Sequence, residues 1–377
     1  MRVKCSTPAR ADLFNTHQDY KGLPVVAAAL SLRLRVTGVR LDSSRIFAYS
    51  STVGDAYEFD VDDLSFTGGW VDYLKAVLRA LRRRGFPLTG FELVVNSEIP
   101  IGSGLGSSGS LVVALTGFLS RLFNYGLSPK DIAELAYRAE RDELGVPCGR
   151  LDQYASALGG VLLIETKPPY RVEQFKISEF YFIVADSGER HSTKSVHSAR
   201  QSELRKAIQL LLEKLLPPEV QLKLQGDLSS VKWSLLTEEE LQPHLDELPA
   251  ALKKRVLFTL KMQHSTLRAL NILHALSSTP SQMLLKELGA VMNEQHCLLR
   301  DLYDVSTSRL EDLRQQLLEA GALGVKITGA GLGGCLVALV SNKEHGVRIL
   351  KRLEASGAAP QLWLLRLDSG LLCTSSS

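Results

Sequence analysis

The sequence predicts an α+β protein of two domains, on three observations. Its 377 residues are enough for two domains. Both halves mix short β-rich runs with long helical patterns, without the regular strand–helix alternation of a parallel sheet. No internal repeat runs through the chain. Composition is that of an ordinary globular protein, 45% hydrophobic and 23% charged.

The bulk numbers also exclude several function classes. A net charge of +3 is too small to argue for nucleic acid or an anionic membrane surface. The basic run from Arg79 to Arg84 reads as a solvated helix end. Cys5, Cys148, Cys297, Cys335 and Cys373 are odd in number and scattered, so neither a zinc cluster nor a secreted disulfide framework is expected. No apolar run reaches the roughly 18–20 residues of a membrane span, and the N-terminus lacks a signal-peptide core. The expectation is a soluble, cytoplasmic protein.

In the first half, Val25 to Val36 and Ile46 to Ser50 read as strands, and Trp70 to Arg84 as a helix. Phe91 to Val95 reads as a half-buried strand and Leu111 onward as a buried helix. Ser128-Pro129-Lys130-Asp131 is a helix start, with an N-cap hydroxyl, proline at the first position and an acid three residues after the cap. Val161 to Ile164 and Tyr181 to Val184 read as buried strands. Leu216-Pro217-Pro218 breaks the chain, and 219–255 reads as a polar, variable excursion. Ser308 to Ala320 is a helix ended by Gly321, followed by strands at Val325 to Thr328 and Cys335 to Val340. These elements divide into domains at 1–185 and 186–368, leaving 369–377 as a mobile tail.

Between the Phe91 strand and the Leu111 helix lies Pro100-Ile-Gly-Ser-Gly-Leu-Gly-Ser-Ser-Gly-Ser110. A Gly/Ser loop that opens a helix is an anion site, because free N–H groups and the helix dipole both favour phosphate. It lacks the Gly-Lys-Ser/Thr ending of a P-loop. Gly104, Gly106 and Gly109 satisfy Gly-x-Gly-x-x-Gly, but the region about 20 residues on starts a helix at Ser128 instead of a strand ending in an acid. A different phosphate-binding class is therefore needed.

Three further polar clusters accompany the loop. Pro8 to Tyr20 gathers Arg10, Asn15, Thr16, His17, Gln18 and Asp19, side chains suited to a polyol or to an Asx-rich turn. Glu140, then Gly145 to Gln153, sets carboxylates beside a Gly/Pro turn, for proton transfer or for helix capping. Lys326-Ile-Thr-Gly-Ala-Gly-Leu-Gly-Gly334 permits close backbone approach to a ligand, or tight strand-to-helix packing.

In their order and spacing, Pro8–Tyr20, Pro100–Ser110 and Lys326–Gly334 resemble the three motifs of the GHMP kinases, the galactokinase, homoserine, mevalonate and phosphomevalonate kinase superfamily. The chain is most similar to the galactokinase branch, through His17-Gln-Asp19-Tyr20, Trp70 with Tyr73, Val146-Pro-Cys-Gly149 and Asp152-Gln153. The resemblance implies the two-domain GHMP kinase fold, with the active site in the interdomain cleft. It also implies transfer of the ATP γ-phosphate to the anomeric hydroxyl of galactose or a related sugar, with ATP and Mg²⁺ as cofactors. Neither nucleic acid nor membrane is expected as a partner, and the state is monomer or homodimer.

Residue by residue, the resemblance makes Asp152 the general base or orienting group, with Arg10 stabilising transition-state charge. Gly102, Ser103, Gly104, Leu105, Gly106, Ser107 and Ser108 would wrap the ATP phosphates, and Trp70 would lie near the adenine. Ser107 and Glu140, the latter on the capped helix, would ligate Mg²⁺. Thr16, His17, Asp19, Gly149, Gly329 and Gly331 would join Asp152 around the acceptor.

Three positions depart from that branch. Its first motif reads Gly-Glu-His-Thr-Asp-Tyr, whereas this chain has Asn15-Thr16-His17-Gln18-Asp19-Tyr20; the missing Glu would hold the galactose 6-hydroxyl. Arg150 stands where an apolar residue is usual, and Arg190 to His197 lacks a tyrosine that would lie against the sugar. All three touch the acceptor pocket. N-acetylgalactosamine, arabinose, a uronic acid or a mevalonate-type alcohol thus stay open as acceptors, as does a non-catalytic sugar and ATP sensor.

Overall fold

The computed structural model describes residues 1–376 apart from Ser178, His191, Ser192 and Leu215, and without the side chains of 193–195. Its first sheet begins with β1 (Arg2–Phe14), β2 (Val25–Arg40), β3 (Arg45–Ser50) and β4 (Asp55–Asp60). Helix α1 (Val71–Arg83) leads to β5 (Phe91–Ser97), and α2 (Ser107–Leu122), α3 (Pro129–Arg138) and α4 (Leu151–Leu158) precede β6 (Val161–Ile164) and β7 (Val172–Phe175). The 16-residue β2 is long enough to hold three partners: β1, β6 at its start and β5 at its end. β3 runs parallel to β5, and the sheet's other pairings are antiparallel.

Side-chain pattern explains these elements. On β3, Ile46, Ala48 and Ser50 are buried while Phe47 and Tyr49 face out, the period of two that a one-sided sheet requires. α2 is apolar all round and buried from Gly109 through Ser120. α3 opens on the capping box read from the sequence: Ser128 Oγ accepts from Asp131 N and the Asp131 carboxylate accepts from Ser128 N. The helix then widens into a π-helical turn, Ala139–Glu143, where Leu144 N donates to Ala139 O at 3.2 Å. Glu140 therefore sits on this turn, just past the helix expected to carry it; such turns recur at functional sites.

The second sheet starts at β8 (Tyr181–Asp186). After it come α5 (Thr193–Leu212), α6 (Pro218–Leu224), α7 (Glu238–Leu245), α8 (Ala250–Ser278), α9 (Gln282–Asp301) and α10 (Ser308–Glu319). Then β9 (Gly324–Ile327), β10 (Cys335–Val340), α11 (Lys343–Ala355) and β11 (Gln361–Arg366) complete an antiparallel sheet in the order β11-β8-β10-β9. The chain finally returns as β12 (Leu372–Ser376) to pair with β1. Among the described residues no helix is long and apolar enough to cross a membrane.

The structure corrects several expectations. A boundary at 185 would cut β8 from the sheet it pairs with, so the second domain begins before Tyr181. Residues 372–376 are a strand instead of a mobile tail: β1 has an open edge, and Arg2 to Ser6 pair with Ser376 to Leu372. The pairing sets Cys5 opposite Cys373, and the two form a disulfide that the scattered cysteines did not signal. Residues 219–255 are also ordered, because Val220, Leu224, Val231, Trp233, Leu241 and Leu245 are buried in one cluster with side chains of α5 and α8.

Candidate active site

The phosphate loop is built from alternating backbone hand. Gly102, Gly104 and Gly106 have φ of 68°, 83° and 74°, while Ser107 opens α2. Such alternation turns successive N–H groups toward one concave side, and the helix N-terminus adds its dipole. Gly104 is the most constrained: a Cβ there would lie 2.4 Å from Thr328 O, on the far domain's glycine turn. Leu105 is core, and its carbonyl accepts from Arg10 N at 3.0 Å. Ser103 turns inward, its hydroxyl donating to Pro100 O at 2.8 Å and its carbonyl accepting from Cys335 N at 2.8 Å. Of the seven loop residues expected to face phosphate, Ser103 and Leu105 thus offer only main chain.

Arg10 ties this loop to Asp152. Its Nε and Nη2 donate to the two Asp152 oxygens at 2.7 and 2.6 Å, and Nη1 donates to Gly104 O. This is a bidentate, charge-assisted pair. The Arg10 side chain is only 9% exposed, but 27% of the Asp152 side chain remains open to an incoming group. Gly109 sets the spacing, because a Cβ there would meet Asp152 Cβ at 2.5 Å. The third glycine of the loop pattern therefore serves helix packing and lets α4 bring Asp152 against α2.

Around Asp152 lie the residues expected at the acceptor. The Asp19 carboxylate rests against Gly149 and accepts from Tyr20 N at 2.9 Å. Burial raises the pKa of Asp19. His17 Nε2 lies 3.1 Å from Ala330 O, so Nε2 carries the proton. Its Nδ1 is left as a buried acceptor with no partner among the described residues. Burial first, then His197 and Lys21, hold His17 well below its ordinary pKa, so the ring is neutral. Thr16 is buried and its hydroxyl accepts from Lys326 Nζ at 2.8 Å. Gly329 packs on Gly104 and Gly331 on Val305, so the packing alternative accounts for both glycines. The Arg190 to His197 segment is described only in part, since His191 and Ser192 lie outside the described residues. Within it, Arg190 forks onto Asp186 at 2.8 and 2.6 Å beside Gly102, and the His197 ring stands 4.9 Å from His17.

Glu140 is buried, accepts from Gln153 Nε2 and faces the Ser108 hydroxyl. Burial, then the neighbouring charge of Asp152, push it up to about 7. A divalent cation would relieve that cost, and a carboxylate with a hydroxyl is a hard oxygen donor set that fits Mg²⁺. The hydroxyl facing Glu140 is that of Ser108 instead of Ser107. The two are consecutive in the first turn of α2, so they point about 100° apart. Among the described residues no three His, Cys, Asp or Glu side chains form a metal cluster.

Trp70 and Tyr73 line a cavity of about 140 Å³ with Ser107, Ser108 and Leu111. Trp70 packs edge-on against Tyr57 at 6.1 Å, and its Nε1 is buried without a partner among the described residues. Sequence reasoning missed Asp12 and Lys326 as individuals. Lys326 Nζ is buried and donates to Asp12 O, Thr16 Oγ1 and Ile327 O at 2.7–2.9 Å. Burial lowers the Lys326 pKa and raises that of Asp12, whose Oδ1 is buried with no partner among the described residues. Only the motif context of these residues was available as a signal.

Comparison with known proteins finds relatives of the whole chain. The family model for the GHMP kinases N terminal domain matches residues 72–160, and that for the GHMP kinases C terminal matches 281–359. The chain is 31% identical over 353 residues to a galactokinase of Thermococcus kodakarensis, covering 91% of this chain and 90% of the relative. It is 30% identical over 356 residues to a mevalonate kinase of Thermococcus sibiricus, covering 92% of each. The crystal structure of Lactococcus lactis galactokinase complexed with galactose superposes with a TM-score of 0.82 at 25% identity, covering 98% of this chain and 95% of that one.

Proposed function

The chain belongs to the GHMP kinase family, and we propose on that premise that it transfers the γ-phosphoryl group of ATP to the anomeric hydroxyl of galactose or a related sugar. Its class is that of phosphotransferases with an alcohol group as acceptor. The observation that carries the reading is the Arg10–Asp152 fork, set against the phosphate loop with the carboxylate still open to an acceptor.

Phosphoryl transfer asks the protein mainly to align donor and acceptor and to neutralise charge. Arg10 bonds Gly104 O and Asp152 at once, so one guanidinium registers the loop against the acceptor hydroxyl. Two of the Asp152 lone pairs are taken by Arg10, and the remaining ones can accept the hydroxyl proton. With each of its oxygens already accepting from Arg10, this carboxylate acts chiefly by orienting the hydroxyl. Mg²⁺, held by Glu140 and Ser108, would supply neutralisation of phosphate charge. His17 Nδ1, Asp19 and the unpartnered Asp12 Oδ1 are acceptors, which suits an acceptor rich in hydroxyl donors.

An ADP-release assay across sugars and alcohols tests the reading. ATP-dependent release with galactose, or with a sugar differing from it at one position, is expected. ATP binding without ADP release from any sugar or alcohol would make the protein a sensor, against the intact loop and fork. Release with mevalonate alone would move the acceptor to the branch represented by the Thermococcus sibiricus relative.

A further inference from the structure

A cavity of about 390 Å³ opens beside Asp19 and Gly149, within the range of about 300–1,000 Å³ usual for small-molecule sites. Its wall also carries Arg141, Arg150, Arg205 and Asp227. Arg141 follows α3 in the first domain, whereas Arg205 projects from α5 in the second. Among the described residues neither forms an ion pair, and Arg205 bonds only Gln201 Oε1, at 3.2 Å. Asp227 likewise has no ion-pair partner among them, and it is the one acid on the wall besides Asp19.

Arg150 differs from these two. Nε and Nη2 are committed to Glu134 at 2.7 and 3.3 Å, and the guanidinium lies between the Tyr137 and Tyr170 rings, 4.0 and 3.6 Å from their centroids. Stacking on both faces fixes its plane, as Arg but not Lys permits. Its third nitrogen, Nη1, has no partner among the described residues. A fixed guanidinium flanked by two unpaired ones is an arrangement that recognises planar or tetrahedral anions.

Resting on the kinase reading above, we propose that the acceptor is an anionic sugar. Its carboxylate or phosphate lies at the end remote from the hydroxyl that is phosphorylated, and Arg141, Arg150 and Arg205 receive it. Asp19 and Asp152 then keep the hydroxyl end, and the two arginines on opposite domains close over the charge.

The test is calorimetric titration of the full chain, without ATP, with galactose, galacturonate and galactose 6-phosphate, paired with ADP release from each. At least one acid is expected to bind about tenfold tighter than galactose, the scale of one charge-assisted bond. Whether galacturonate or galactose 6-phosphate leads identifies the anion. Both Arg141 and Arg205 are exposed, so Arg141→Gln with Arg205→Gln leaves the core intact and should bring the ratio of affinities close to one. Equal affinity for all three sugars, or a preference that survives the double variant, overturns the inference. ADP release from galactose with no acid preference would leave the kinase reading standing and this inference fallen. Acid-selective binding without ADP release from any sugar would do the reverse.

Discussion

Asp152 is held at both oxygens by Arg10 across a sequence separation of 142 residues. Replacing it with Asn keeps the volume but removes the charge that Arg10 and the acceptor hydroxyl both use. Asp152→Asn is expected to lower turnover about 10³-fold while ATP affinity stays within about threefold, because the proposed function gives this side chain to the acceptor and the loop to the nucleotide. Steady-state kinetics with a nucleotide titration reads both numbers, and a variant keeping most of its turnover would remove Asp152 from catalysis. The pair was legible in the sequence because each member lies in a motif with its own spacing. Asp12 and Lys326 were not, because a buried polar cluster joining residues 314 apart has no local pattern. Which of the adjacent hydroxyls of Ser107 and Ser108 faces Glu140 was likewise not legible, because it depends on the phase of α2, and spacing alone does not give that phase.

Elements with a strong local signal were readable, among them the capped start of α3 and the buried runs β6, β8 and β10. The region 219–255 was not, because α6 and α7 are only 7 and 8 residues long, too short for a helical period to stand out. Trp233 is nonetheless 2% exposed and donates from Nε1 to Leu228 O at 3.0 Å. Trp233→Ala is expected to cost about 3–5 kcal/mol, measurable by chemical denaturation; a loss below about 1 kcal/mol would show that the cluster collapses around the gap. Between α9 and α10, burial opposes ionisation of Glu311, but hydrogen bonds from His296 and Ser306 pull it down to about 2. The folded value lies below the ordinary 4.5, so the unfolded chain binds the proton first as acid is added. The stabilisation is complete above about pH 4.5 and lost toward pH 2. Burial also holds His296 below its ordinary value, which adds loss of stability as pH falls through 6.5. The stability gap between the protein and Glu311→Gln should therefore narrow as pH drops from 5 toward 3. A gap constant over that range would show that Glu311 is not held ionised.

At the scale of the whole molecule, main chain takes a direct part where the two domains meet: Gly104 lies against Thr328, Ser103 O accepts from Cys335 N, and Asp12 N donates to the Thr328 hydroxyl at 2.9 Å. That the loop and the far glycine turn belong to one site was visible as a resemblance; that they touch was visible only in the fold. The Cys5–Cys373 disulfide spans 368 residues and ties β12 to β1. Closing so long a loop restricts the unfolded chain, and Cys373→Ser is expected to lose about 2–5 kcal/mol. Thermal melts with and without a thiol reductant would read the effect, and a Tm insensitive to reductant in the wild type would contradict it. The pairing was missed because cross-strand neighbours at the two ends of a chain leave no spacing to read.

The strand that carries Arg10, Asp12 and the residues leading to Thr16, His17 and Asp19 is synthesised well before β12, the strand that covers its outer edge. Until Leu372–Ser376 has been made, β1 stands with one row of backbone donors and acceptors unpaired, the geometry that recruits other chains. A ribosome that stops before Leu372 would release a protein with every site residue present and a sticky edge beside them.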